Sequence, residues 1–293
     1  MCSSCPLWFI FLPNTQEFDR SGTDTPNGDC MKRFFNLLLR IRRWPVQAVS
    51  FLVMNSYFTQ SVTKGVPCPG FNCYACPAAV FACPIGSLQH FAIIREIPFY
   101  VLGAVAFVGA LGGRAACGWL CPFGFFQELM YKLPLPKWRL PARLGWLRYA
   151  FLVGLVFVIP YLTLEPWFCK LCPQGTLEAG IPQILLLPEL RSLIGWLFAL
   201  KIAILLAFLA WMAVTKRPFC RWVCPLGAIW SPFNPVSAVR LEVDREVCIE
   251  CNRCQQVCPV NIRIHENADT VECVRCLECI RVCPVDCIHV TGV

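Results

Sequence analysis

Two cysteine runs close the chain, Cys248-x2-Cys251-x2-Cys254-x3-Cys258-Pro259 and Cys273-x2-Cys276-x2-Cys279-x3-Cys283-Pro284, and their spacing constrains the fold more than any other feature. Three thiolates on one tight loop reach three corners of an iron–sulfur cubane, while the fourth cysteine of each run is turned away toward a second cluster. Cys248, Cys251, Cys254 and Cys283 are therefore expected to hold one 4Fe-4S cluster, and Cys273, Cys276, Cys279 and Cys258 the other. Zinc is the weaker reading, because zinc sites use separated C-x2-C pairs and need no third in-line cysteine. Residues 240–293 are expected to form a small α+β two-cluster domain, with Cys287 as a packing residue rather than a ninth ligand.

The rest of the chain has the composition of a membrane protein: 57% of residues are hydrophobic and only 15% charged, against about a quarter charged in soluble domains. Four stretches, about 45–62, 97–113, 146–164 and 193–214, are candidate spans. Lys and Arg alternate between the segments that flank them: five in 31–44, two in 61–96, five in 114–145, two in 165–192, then Lys216, Arg217 and Arg221. High, low, high, low, high is the positive-inside pattern, so both termini are expected in the cytoplasm of a multi-pass protein of a prokaryotic inner membrane. The net charge of +8 is spread around apolar segments and does not form a nucleic-acid patch. Residues 1–44 read as a tail in which Met31 is the expected start, leaving Cys2, Cys5 and Cys30 without a role.

Within residues 45–232 a Cys-Pro-x-Gly core recurs four times, beginning at Cys83, Cys121, Cys172 and Cys224, each with another cysteine upstream. The fold expected is mainly α: a four-helix transmembrane bundle of two tandem half-repeats, followed by the ferredoxin domain. Cys117, Cys121, Cys220 and Cys224 fall on the cytoplasmic side, and four thiolates from two half-repeats are what a cluster needs. Cys73, Cys76, Cys83, Cys169 and Cys172, with Cys68, fall on the other side, where a cluster, a metal or disulfides are all open. A proline after the ligand cysteine starts a helix whose positive end faces the site. No C-x-x-C pair is followed by histidine, which excludes covalent haem.

Lys201 lies near the centre of the last candidate span, where a charge is costly, and is a candidate for a quinone head group or a cluster counter-charge. Glu128 and Glu165 are candidates for handling quinol protons, each with interfacial placement as the alternative. Trp119 and Trp222 occupy matching positions in the two inner motifs, which fits shielding of a cluster or interface anchoring.

Cys117-Gly118-Trp119-Leu120-Cys121-Pro122 and Cys220-Arg221-Trp222-Val223-Cys224-Pro225, with four spans and a terminal two-cluster domain, resemble the NapH/NosR family of membrane 4Fe-4S proteins, to which CcoG is related. The resemblance covers about Met31 to Ile288 and implies electron transfer from membrane quinol or another donor toward a reductase beyond the membrane. It implies iron bound through the cysteines named, a quinone as a further ligand, and partner subunits or redox proteins. The rich outer cysteine set departs from the simpler family pattern. Two other functions are open, a thiolate-based copper reductase, since soft thiolates suit Cu(I), and a redox-sensing maturation or assembly factor.

Overall fold

The computed structural model describes residues 42–292 apart from 59 and 139–141. The expected tail over residues 1–44 lies outside the described residues but for its last three positions. The principal helices before the ferredoxin domain are α1 (Arg43–Met54), α2 (Pro84–Ile94), α3 (Phe99–Gly112), α4 (Ala115–Trp119), α5 (Pro122–Tyr131), α6 (Leu144–Thr163), α7 (Trp167–Leu171), α8 (173–186), α9 (Trp196–Val214), α10 (Pro218–Trp222) and α11 (Pro225–Trp230). Among the described residues two helices, α6 and α9, are long and apolar enough to cross a membrane. Only 22% and 17% of their apolar windows are buried, the reverse of a soluble core helix.

The other two expected spans are shorter than anticipated. Helix α3 has 14 residues, and at about 1.5 Å rise each it reaches about 21 Å, against about 30 Å of hydrocarbon. Pro98 caps its start, and Gly113 ends it at φ +56°. Helix α1 stops at Met54, where the Asn55 side chain donates back to the Phe51 carbonyl at 3.0 Å and Tyr57 turns to φ +66°. What α1 lacks in length it shows in pattern, because its buried stripe is polar: Arg43, Gln47 and Ser50 face inward, while Val49, Leu52 and Val53 face outward. Gln47 donates to the Gly118 carbonyl at 2.9 Å and Ser50 to that of Leu120 at 2.8 Å. A helix with its polar groups satisfied inside and its apolar side exposed suits lipid rather than water.

Helices α6 and α8 share a local irregularity. Each contains wide i→i+5 turns, at Leu152–Val158 and Thr176–Gly180, that end just before an Ile-Pro pair, Ile159–Pro160 and Ile181–Pro182. A proline inside a helix has no N–H to give and presses its ring on the preceding turn; widening that turn relieves both.

The C-terminal domain pairs β1 (Val239–Val243) antiparallel with β2 (Ile288–Gly292), Leu241 opposite Val290, around helices α12 (Arg253–Val257) and α13 (Glu278–Val282). It docks on the helical half through buried arginines. Arg114 donates to the Val271 and Glu272 carbonyls at 3.2 and 3.3 Å, and Arg148 pairs with Glu272 at 2.8 Å. Asn234 donates to the Thr270 and Cys273 carbonyls, both at 2.8 Å, and Trp119 Nε1 to the Arg275 carbonyl at 3.0 Å. Replacing Glu272 with glutamine leaves Arg148, 1% exposed, without a counter-charge. The expected result is a loss of about 3 kcal/mol in docking, read as faster hydrogen exchange over residues 240–292 with the membrane helices unchanged.

Candidate metal centres

Each ferredoxin run bends its backbone in the same three places. Glu250, Asn252 and Asn261 in the first, and Arg275, Leu277 and Asp286 at the matching positions of the second, all have φ between +47° and +60°. Left-handed backbone costs a non-glycine residue about 1 kcal/mol or more, and such strain gathers at functional sites. Here it folds each C-x2-C-x2-C loop around a point. Cys248, Cys251, Cys254 and Cys283 line one small cavity, together with Cys287, whose sulfur is 3.4 Å from that of Cys283. Cys258, Cys273, Cys276 and Cys279 line a second, walled by Leu241, Val260 and Ile264. Cys283 thus lies beside the cysteines of the first run, and Cys258 beside those of the second.

The inner set, Cys117, Cys121, Cys220 and Cys224, also converges: all four thiols are buried and within electrostatic reach of one another. Two of the elements that position them, the Cys-Pro-x-Gly turn and an arginine, occur in both half-repeats. The N–H of Gly124 points at Cys121 Sγ at 3.4 Å, and that of Gly227 at Cys224 Sγ at 3.3 Å, which is the work of the Cys-Pro-x-Gly turn. Arg114 and Arg217, each three residues before the first cysteine of a pair, cross over: Arg114 donates to the Cys220 carbonyl at 3.1 Å and Arg217 to the Cys117 carbonyl at 2.9 Å. A Cβ at Gly227 would lie 3.0 Å from Arg114 and one at Gly124 3.2 Å from Arg217, so glycine admits the guanidinium groups. Burial opposes the charge of Arg217, but Glu128 and the thiols of Cys220, Cys121 and Cys276 outweigh it and hold its pKa above the usual value.

The outer cysteines divide. Cys73, Cys83, Cys169 and Cys172 wall one cavity of about 690 Å³, whereas Cys68 donates to Met54 Sδ at 3.6 Å and Cys76 to Asn55 Oδ1 at 3.9 Å, outside it. Burial pushes the Cys73 thiol up to about 12 and those of Cys83 and Cys172 well above their ordinary range. Glu178 accepts the Cys73 N–H at 3.0 Å, and burial raises its carboxyl to about 7. Lys201 borders the same cavity; burial raises the Cys169 thiol above its ordinary value, and the Gln89 hydrogen bond and the Lys201 charge oppose that rise only in part. The other proton candidates sit in ion pairs: Glu128 is held by Arg43 and by Arg217 at 2.7 Å, and Glu165 by Lys170 at 2.7 Å on the surface.

Among the described residues no three Cys, His, Asp or Glu side chains converge tightly enough to hold one metal ion. This holds for the ferredoxin sets too.

The sites also abut. Gly118, in the inner motif, packs so closely on the ferredoxin loop that a Cβ there would lie 2.3 Å from the Val274 carbonyl and 3.5 Å from Cys276 Cα. On the other side Phe71, two residues before Cys73, points its N–H at Cys121 Sγ at 3.5 Å. Its ring meets those of Phe123, Phe219 and Phe168 at 6.2, 5.3 and 6.2 Å. Trp119 and Trp222, matched in sequence, differ here, since Trp119 binds the ferredoxin loop and Trp222 stacks on Trp211 at 5.4 Å. Arg114, Arg217, Gln89, Gln127 and Glu178 escaped the motif reading; the signal was a constant offset, −3 for the arginines and +6 from Cys83, Cys121 and Cys172 for the others.

Comparison with known proteins bears on these groupings. A profile described as "4Fe-4S binding domain" matches residues 97–141, 144–184 and 192–236, and one described as "4Fe-4S dicluster domain" matches 240–284. Two uncharacterized proteins of Methanocaldococcus jannaschii are 36% identical over 170 residues (55% of this chain, 64% of theirs) and 30% identical over 200 residues (64% and 69%). The ferredoxin-type protein NapH of Haemophilus influenzae is 27% identical over 163 residues, 53% of this chain and 50% of its own. NosR of Pseudomonas aeruginosa matches as well, over 20% of its length. The chain belongs to the NapH/NosR ferredoxin-type membrane family. It spans less than two thirds of most of these relatives, and no solved structure matches it. The family's shared cluster chemistry gives the Gly118 contact a measurable consequence. Gly118→Ala is expected to cost about 1–3 kcal/mol by overpacking and to slow electron exchange between the ferredoxin domain and the helical half, seen in stopped-flow reduction with the iron content unchanged.

Proposed function

We propose that this ferredoxin-type 4Fe-4S electron-transport protein is an integral membrane subunit with four spans and both termini in the cytoplasm, and that it relays electrons between a quinol or cytoplasmic donor and an acceptor at or across the membrane. In this reading Cys117, Cys121, Cys220 and Cys224 hold a third cluster beside the two of the ferredoxin domain. The observation that carries it is the contact of Gly118 with the Val274–Cys276 segment, which sets the inner thiols directly behind the second ferredoxin site. The donor set fits: four soft thiolates, two crossed arginines, and an N–H aimed at each Cys-Pro sulfur. A cluster bound there supplies one-electron transfer. The residues exclude water, fix the thiols and offset their charge.

Sites that abut from the ferredoxin loop through the inner thiols to the Phe71–Cys73 segment support a carrier with protein or quinone partners over a redox sensor. The copper reading predicts instead stoichiometric copper retained on purification and lost when Cys169 and Cys172 are replaced. Anaerobically purified protein is expected to contain well above the roughly eight irons of two 4Fe-4S clusters. Cys117→Ser with Cys220→Ser should remove about four irons and one reduced-state EPR signal. Iron near eight and unmoved by that pair would sink the inner site.

A further inference from the structure

We propose that Cys73, Cys83, Cys169 and Cys172 form a second four-thiolate iron–sulfur site in the helical half, at which electrons enter or leave on the side away from the ferredoxin domain. The inference rests on the reading of the inner site as a cluster. No sequence profile covers Cys73 or Cys83, and the neighbouring outer cysteines do not reveal from spacing which four belong together.

The outer set is built like the inner one. Gln127 donates to Cys220 Sγ at 3.1 Å while its carbonyl oxygen accepts the Phe219 N–H at 3.1 Å. Gln89 donates to Cys169 Sγ at 3.0 Å while its oxygen accepts the Phe168 N–H at 3.1 Å. Each glutamine thus grips the cysteine and the residue before it from the opposite segment. The turn at Cys172 aims the Gly175 N–H at Cys172 Sγ at 3.5 Å, as the inner turns do. A Cβ on Gly86 would lie 3.7 Å from Cys169 Sγ and one on Gly175 3.5 Å from Cys73 Sγ, so each Cys-Pro-x-Gly turn presents its glycine to a thiol of the other segment. A disulfide scaffold needs none of these N–H···S contacts. They are what a negatively charged sulfur attached to a cluster requires, and hydrogen bonds to the sulfurs are one of the factors that set a cluster's potential.

Position completes the case. Phe71 reaches the inner site through its N–H on Cys121 Sγ, and Cys73, two residues on, belongs to the outer set. Two residues of extended chain span at most about 7 Å, so the two sets are neighbours bridged by backbone and by the rings of Phe71 and Phe168. The inner thiols are sealed, but Cys169 is exposed to the 690 Å³ cavity, beside His90 and Lys201. The outer site is therefore the one open to exchange.

The test uses full-length protein purified anaerobically, with iron and sulfide analysis and EPR of the dithionite-reduced state. Cys83→Ser with Cys172→Ser is expected to lose about four irons and one signal, different from the signal lost in the inner double variant. Full iron with every signal retained, or a Cys169–Cys172 disulfide found by mass spectrometry in the wild type, overturns the outer site and leaves the inner reading intact. Failure of the inner double variant alone to lose iron overturns the inner reading instead. If the outer double variant does not fold, Gln89→Leu decides, since it keeps all four thiols. It should lower the midpoint potential of one signal, and Gln127→Leu that of another; no shift with Gln89→Leu overturns the proposal.

Discussion

Thiolates buried in an apolar bundle are tolerable only where positive charge and N–H groups surround them, and the helical half is arranged around that requirement. Arg114 and Arg217 have side chains 1% and 0% exposed, and stripping each of water costs several kcal/mol. That cost is met by partners. Arg217 reaches Glu128 and the Cys117 carbonyl, and Arg114 reaches Glu272 and the Cys220 carbonyl. The same two cations tie the two inner cysteine pairs to each other and, through Glu272, to the ferredoxin loop. Charge compensation, site assembly and part of the domain docking are one network.

The pseudo-twofold between half-repeats explains what is shared, and its breaks explain how the sites differ. The residue six after each Cys-Pro cysteine reaches across the interface: Gln89, Gln127 and Glu178 take a backbone N–H beside a cysteine of the opposite segment, while Trp230 donates to Val105 instead. The arginine at −3 appears only in the inner pairs; before Cys169 that place holds Pro166. Lys201, arriving from α9, borders the outer cavity together with Lys64, and Glu178 accepts the Cys73 N–H there. The inner set thus sits between two fixed guanidinium groups, and the outer set faces a cavity whose charge depends on what fills it.

Ligands close in sequence were legible, and ligands brought together by tertiary packing were not. The two C-x2-C-x2-C runs announce their grouping because three sulfurs ride on one loop, and the inner pairs because the motif repeats with a Trp at the same place. The outer four could not be picked from six candidates, since Cys73 joins the set through a loop whose depth no local pattern records. Helix ends are less legible than apolar content: hydropathy over 45–62 does not show that α1 stops at Met54, where the Asn55 side chain turns back to the Phe51 carbonyl. Lys201 was noticed as a charge out of place, and it borders the cavity that Cys169 walls.

The short helices and the deep loop are two sides of one constraint. Irregular backbone is tolerated at membrane depth only where protein, not lipid, takes up its N–H and C=O groups. The Gly70–Cys73 loop meets that condition: the Phe71 N–H is taken by Cys121 Sγ, the Cys73 N–H by Glu178, and the Asn72 side chain donates to the Met54 carbonyl at 3.2 Å. Glycine at position 70 is needed because a Cβ there would approach Cys121 Cα to 3.0 Å. In the proposed four-span arrangement, α1 and α3 need not run the full thickness, because this loop and the helices that begin at Cys83 and Cys172 occupy the depth they leave. The Phe71 N–H on Cys121 Sγ holds this loop against the inner thiols, and Cys73, two residues on, is thereby kept at the cavity that Cys83, Cys169 and Cys172 also wall.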